Sequence, residues 1–160
     1  MPLKNENYVK DLGVYIQSNL KWERHVNFIS RQAATTSYQI LKSFRSKNIW
    51  TLVLLYKCYV RPRLEFNTEV WSPYFKKDVR KLEQVQKRYT KIICQRCHIP
   101  FSSYTDRLNK LNLLSLQNRR IKFDLILMFK IINNLSHFSF QDFFLLWNLQ
   151  LLTSKQFNQN

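Results

Sequence analysis

Gly13 is the only glycine in 160 residues, and prolines number just four. Tight hairpin turns draw heavily on glycine, so a fold of many short strands is disfavoured and helices are expected. The same shortage excludes a glycine-rich phosphate loop. Cysteine is scarce and odd in number (Cys58, Cys94 and Cys97). That rules out a disulfide framework and favours a reducing, intracellular setting, nuclear or cytoplasmic. The opening residues, Met1 to Lys10, lack the basic-then-apolar order of a secretory signal. The longest apolar stretches, Trp50 to Tyr56 and Leu125 to Phe129, fall far short of the ~20 residues of a membrane span. No membrane partner is expected, although an acidic membrane surface is the second partner to test after nucleic acid.

Acidic residues are few as well: ten Asp and Glu against 26 Lys and Arg. Nucleases and polymerases hold divalent ions with clustered carboxylates. Here no two Asp residues are adjacent, and no pair of acids has a spacing that would put two carboxylates at one strand end. Asp78 and Glu83 read as a helix-start charge and a surface charge. No nucleophile–base arrangement can be argued from spacing either. No catalytic residue, metal or cofactor is therefore assigned to this chain, and the chemistry that remains legible is binding.

What the chain has in excess is positive charge, formally +16, on a background that is 45% hydrophobic and 15% aromatic. That apolar content separates it from disordered polycations. At this length one domain is the prior, burying roughly 70% of the unfolded surface. Val9 to Ile16 reads as a strand, with Gly13 marking a bulge or close backbone approach. A lone strand needs a partner from elsewhere. From Trp22 to Phe44, Val26, Ile29, Ala33, Ile40 and Phe44 form one helical stripe, with Arg24, Arg31, Lys42 and Arg45 opposite. Asn48 is placed to cap a second helix to Val60, apolar nearly all round and so expected to be buried, with Pro62 ending or bending it. Helix is expected to resume from Leu64 to Trp71. Lys77 to Ile93 is the clearest amphipathic helix, with Arg80, Lys87 and Lys91 opposite its apolar stripe and Lys81 and Arg88 on the shoulder. A loop is expected over Gln95 to Phe101. Ser102 or Ser103 then caps a helix to Leu111, and Ser115 caps a long one to Ile132 that carries Arg119, Arg120 and Lys122 early on.

Basic helix faces backed by an apolar core suit a phosphate backbone. Arg80, Lys87, Arg88 and Lys91 span about 17 Å of helix axis, a length over which a duplex offers several phosphates. The nucleic-acid candidates are thus Arg24, Arg31, Lys42, Arg45, Arg80, Lys87, Arg88, Lys91, Arg119 and Arg120. A competing reading rests on Cys94-Gln95-Arg96-Cys97-His98, which matches the haem-attachment pattern and offers three zinc ligands, with Cys58 or His137 as a fourth. The plainer reading of that run is a helix C-terminus with two ordinary thiols.

Several runs, in order, resemble the C-terminal part of reverse transcriptases from jockey-like non-LTR retrotransposons. They are Val9-Lys10-Asp11-Leu12-Gly13-Val14, then Asn19-Leu20-Lys21-Trp22 with His25-Val26. Val60-Arg61-Pro62-Arg63-Leu64-Glu65 and Val70-Trp71-Ser72-Pro73 follow. Next come Leu82-Glu83-x-x-Gln86-x-Arg88 and Tyr104-x-x-Arg107-Leu108-x-x-Leu111-x-Leu113, and last Ser115-Leu116-x-x-Arg119-Arg120 with Asp124. The resemblance spans about residues 9 to 135. Two segments depart from it: Phe66-Asn67-Thr68-Glu69 replaces small residues, and the Cys94 to His98 run has no counterpart. It implies a mainly helical, thumb-like bundle over 21–135, preceded by one or two short strands left from a palm over 1–20. Beyond it the apolar pattern loses its period, and a loosely packed or disordered tail is expected over 136–160. It also implies RNA and DNA, as template-primer duplex, for partners. The family's catalytic Asp-Asp motif and its Mg2+ belong to an upstream palm-and-fingers half, a further expected partner. The alternative is an inert fragment with no partner of its own.

Overall fold

A computed structural model describes residues 7–137 of the chain. It is mainly helical, with two short antiparallel strands at its start. Strands β1 (Tyr8–Asp11) and β2 (Val14–Gln17) pair with each other, Asp11 opposite Val14 and Tyr8 opposite Gln17. The single strand expected over Val9 to Ile16 is thus a hairpin, and the partner anticipated from outside is the chain's own Val14–Gln17. Leu12 and Gly13, at φ of 42° and 91°, form the two-residue turn. Both central positions of such a turn need positive φ, which explains where the sole glycine is used. It makes a turn rather than a bulge.

Among the described residues six α-helices follow: α1 (Glu23–Ser43), α2 (Ile49–Leu55), α3 (Arg61–Glu65), α4 (Lys76–Arg96), α5 (Tyr104–Lys110) and α6 (Leu116–Ile132). Backbone packing groups the chain into two compact units, 1–121 and 122–160, with the hairpin and α1 to α5 in the first. The expected tail from 136 onward lies almost wholly outside the described residues. Among the described residues no helix is long and apolar enough to cross a membrane.

The helix starts follow the sequence closely. Asn48 accepts hydrogen bonds from the amides of Trp50 (2.9 Å) and Thr51 (3.2 Å). Ser103 accepts from Asp106 N–H (3.1 Å) and Ser115 from Asn118 N–H (3.1 Å). Each such cap satisfies donors that the first helical turn leaves open, and contributes about 1 kcal/mol. The helix ends show how the chain manages without glycine. His98, Asn112 and Asn134 take the left-handed conformation after α4, α5 and α6. Behind them the amides of Ile99, Leu113 and Leu135 reach back to the carbonyls of Cys94, Leu108 and Lys130. These are Schellman endings with asparagine, and once histidine, in the usual glycine position.

The core of the first unit gathers Val26, Ile29 and Ala33 of α1, Leu52 and Val53 of α2, Leu64 of α3, and Leu82, Tyr89 and Ile93 of α4. Trp71 is buried among them and donates its indole N–H to Phe66 O at 2.8 Å.

Four expectations need correction. The helix from Ile49 is not apolar because it is buried: Trp50, Leu54 and Tyr59 are each about three-fifths exposed, at 61%, 59% and 59%. Of the two outcomes expected at Pro62, ending the helix does not occur: helical backbone continues through a π-turn over Tyr56–Val60 into α3, with Pro62 in the first turn of α3. Helix does not run from Leu64 to Trp71, because α3 stops at Glu65 and Asn67 turns the chain at φ 58°. Helix α4 continues through Arg96 into the segment expected to be a loop.

Candidate nucleic-acid interface

Helices α1 and α4 lie side by side and run parallel, because matched pairs join both ends. At the starts, Lys77 pairs with Glu23 at 2.9 Å, and Lys81 Nζ donates to Asn27 Oδ1. The Lys77 hydrogen bond holds the Glu23 carboxyl below its ordinary range. At the ends, the Arg96 guanidinium donates to Phe44 O (2.7 Å) and Leu41 O (2.8 Å), closing the carbonyl end of α1 with a cation. Between these clamps the two helices leave an open groove of about 870 Å³.

Its lining has an uneven chemistry. Helix α1 contributes Arg31, Tyr38 and several small or polar side chains, α4 contributes Lys81, Lys87, Arg88 and Lys91, and α5 contributes Arg107. That makes six cations, and among the described residues no carboxylate lines the groove. Like charges gathered on one concave wall raise the positive potential there and draw polyanions in. Arg31 also borders a shallower hollow of about 320 Å³ that includes Arg63.

The structure thus brings together Arg31, Lys87, Arg88 and Lys91 from the sequence candidates. Lys42 lies beside them, its ammonium 5.9 Å from the Tyr38 ring at the groove wall. Arg45 and Arg80 are exposed but line neither hollow. Arg24 stacks on Tyr8 of the hairpin, 3.5 Å from the ring centroid. Arg119 and Arg120 differ from the expected surface cations. Arg119 makes a two-pronged ion pair with Glu65, through Nε to Oε1 and Nη2 to Oε2 at 2.9 Å. Arg120 is only 4% exposed. Sequence reading did not select Lys81 or Arg107. Lys81 was visible on the shoulder of α4, but Arg107 comes from another helix, and no periodicity on α4 could have revealed it.

Glu83 and Gln86, from the motif on α4, face away from the groove into the core. Gln86 is fully buried. It accepts from Tyr56 O–H (2.5 Å) and donates to Tyr104 Oη and to Leu114 O, both at 2.9 Å. Tyr104 donates to Glu83, whose carboxylate also receives the Leu116 amide at the start of α6. Glu83 is therefore a buried cap and not the surface charge expected. Asp78 is also buried, at 3% exposure, and loss of hydration raises its pKa. Burial and the neighbouring Glu83 carboxylate raise the Tyr104 pKa well above the ordinary phenol value.

In the Cys94 to His98 run, Cys94 is buried, Cys97 is half-buried, and His98 is exposed in the left-handed helix ending. Burial pushes both thiols upward, away from the thiolate form that metals need. Among the described residues no three His, Cys, Asp or Glu side chains converge on a point where a metal could sit.

No family model and no solved structure matches the chain. It is similar to an uncharacterized protein of Caenorhabditis elegans, 35% identical over 115 residues. The match covers 72% of this chain and 58% of the nematode protein, so the chain spans little more than half the length of that relative.

Proposed function

We propose that the chain holds nucleic acid by its sugar–phosphate backbone, in the manner of a reverse-transcriptase thumb, with the groove between α1 and α4 as the seat. The observation that carries this reading is the lining itself: among the described residues, six cations and no carboxylate in one concave surface. Backbone contacts of this kind position a duplex without reading its sequence. The retrotransposon resemblance supplies the ligand, a template-primer duplex of RNA and DNA, and an intracellular setting, nuclear or cytoplasmic. Polymerisation and its Mg2+ would belong to a palm-and-fingers half, since this sequence has no adjacent Asp-Asp pair.

The test is anisotropy of a labelled RNA–DNA hybrid across a salt series. Four or five phosphate contacts give a log–log slope near −4 on a B-like duplex. Lys87→Gln with Lys91→Gln should flatten it by about two. Absence of binding at low salt, or a slope near zero, would refute the proposal and leave an inert bundle.

A further inference from the structure

Arg107 is the one cation of the groove that is also buried, at 8% exposure. Buried guanidinium groups are normally matched by a carboxylate, and even the half-buried Arg119 is matched by Glu65. Among the described residues Arg107 has no ion pair. Its polar contact is Nε donating to Thr90 Oγ1 at 3.5 Å, at the long limit for such a bond. Two rings hold it instead, its Cζ lying 4.7 Å from the Phe101 centroid and 5.4 Å from that of Tyr104. Lys87 Nζ sits 5.0 Å from the same Tyr104 ring. Two cations thus share one aromatic platform. The ring attracts each of them and neutralises neither.

The neighbouring acids are already engaged. Asp106 is held by Lys110 at 3.2 Å and by the Ser102 amide at 3.0 Å. Glu83 is tied to Tyr104 O–H and the Leu116 amide. A planar fork of donors of this kind is matched by an oxyanion small enough to enter the groove.

Resting on the nucleic-acid reading of the same groove, we infer that Arg107, backed by Lys87 on the Tyr104 ring, is a built seat for a single phosphate group. The seat differs from the surface lysines around it in kind. A lysine neutralises a phosphate as a point charge, whereas the two rings hold the Arg107 guanidinium in place before the ligand arrives. The phosphate belongs either to the nucleic-acid backbone or to free inorganic phosphate.

The experiment uses the full chain labelled with 15N, with the Arg107 Nε–H resonance assigned through its own side chain. Sodium phosphate, at ionic strength held constant with chloride, should move that resonance saturably. An RNA–DNA hybrid should move the same resonance. Arg107→Lys, which keeps the charge and loses the fork, should weaken hybrid binding about tenfold with little change in salt slope, and Arg107→Gln should also flatten the slope by about one. If the resonance responds to phosphate but not to the hybrid, the seat serves the free ion and the backbone assignment fails. An Arg107 resonance unmoved by either titrant, while the hybrid still binds, overturns the seat and leaves the groove reading standing. A hybrid that does not bind at low salt overturns the groove reading; a saturable phosphate response in that case supports the seat for the free ion.

Discussion

Gln86→Leu tests whether the polar side chains inside this bundle hold it together. The substitution keeps the volume and removes three hydrogen bonds from a residue with no solvent exposure. Tyr56 O–H loses its acceptor and Leu114 C=O loses its donor. The Tyr104 hydroxyl loses one bond and keeps the one to Glu83. An orphaned buried polar group costs about 1–3 kcal/mol, and two groups are left orphaned. The added apolar side chain recovers about 1 kcal/mol, so the net loss is about 1–5 kcal/mol. Against a typical domain stability of about 5–15 kcal/mol that is a large fraction. Urea unfolding followed by tryptophan fluorescence reads it directly, because Trp71 is buried in the same core. At a urea slope of about 2 kcal/mol/M the midpoint should fall by about 0.5–2.5 M with the slope unchanged. Gln86 does not line the groove, so the folded variant should bind an RNA–DNA hybrid within about twofold of the parent chain. A midpoint within about 0.3 M of the parent would show that the network is dispensable. Hybrid binding lost while the fold stays intact would show that Gln86 acts at the interface.

His25 supplies a pH prediction. Its Nδ1 accepts the Tyr15 amide at 3.3 Å, its Nε2 is buried without a hydrogen-bond partner, and burial lowers its pKa to about 4. The unfolded chain therefore binds the extra proton between pH 6.5 and about 4. Stability should be full above pH 6.5 and fall by about 2–3 kcal/mol as pH drops to 4; His25→Phe should abolish most of that slope in urea titrations. Gly13→Ala should cost about 1 kcal/mol through backbone strain alone, since the added Cβ would meet Phe66 Cε1 at an ordinary 3.5 Å; a neutral result by thermal melting would deny the positive-φ turn. Arg119→Ala should destabilise by about 1–3 kcal/mol by stripping Glu65 of its two-pronged partner, yet leave the salt slope of hybrid binding unchanged; a slope flattened by about one would return Arg119 to the interface.

Local chemistry was legible from the sequence wherever the deciding interaction lies within one or two helical turns. Asn48, Ser103 and Ser115 cap where their positions suggested, because a cap bonds its own next residues. The α1 stripe of Val26, Ile29, Ala33 and Ile40 is buried as its period required. Phe44 was included in that stripe but remains 46% exposed, since α1 ends one residue earlier. The helix from Ile49 misled because an apolar sequence says nothing about whether a neighbour is present to cover every face.

The amino-acid order alone determined a basic, mainly helical chain with strand at its start, through glycine scarcity, apolar periodicity and capping residues. Tertiary structure alone decided which cations meet. Arg31, Lys87 and Arg107 lie on three separate helices and line one groove because α1 and α4 run parallel and α5 folds back against α4. The same packing turned Glu83 and Gln86 inward and matched Arg119 with Glu65, 54 residues away. Charge is a property of each residue, but whether it faces solvent, a partner or another charge depends on neighbours that only the folded chain supplies.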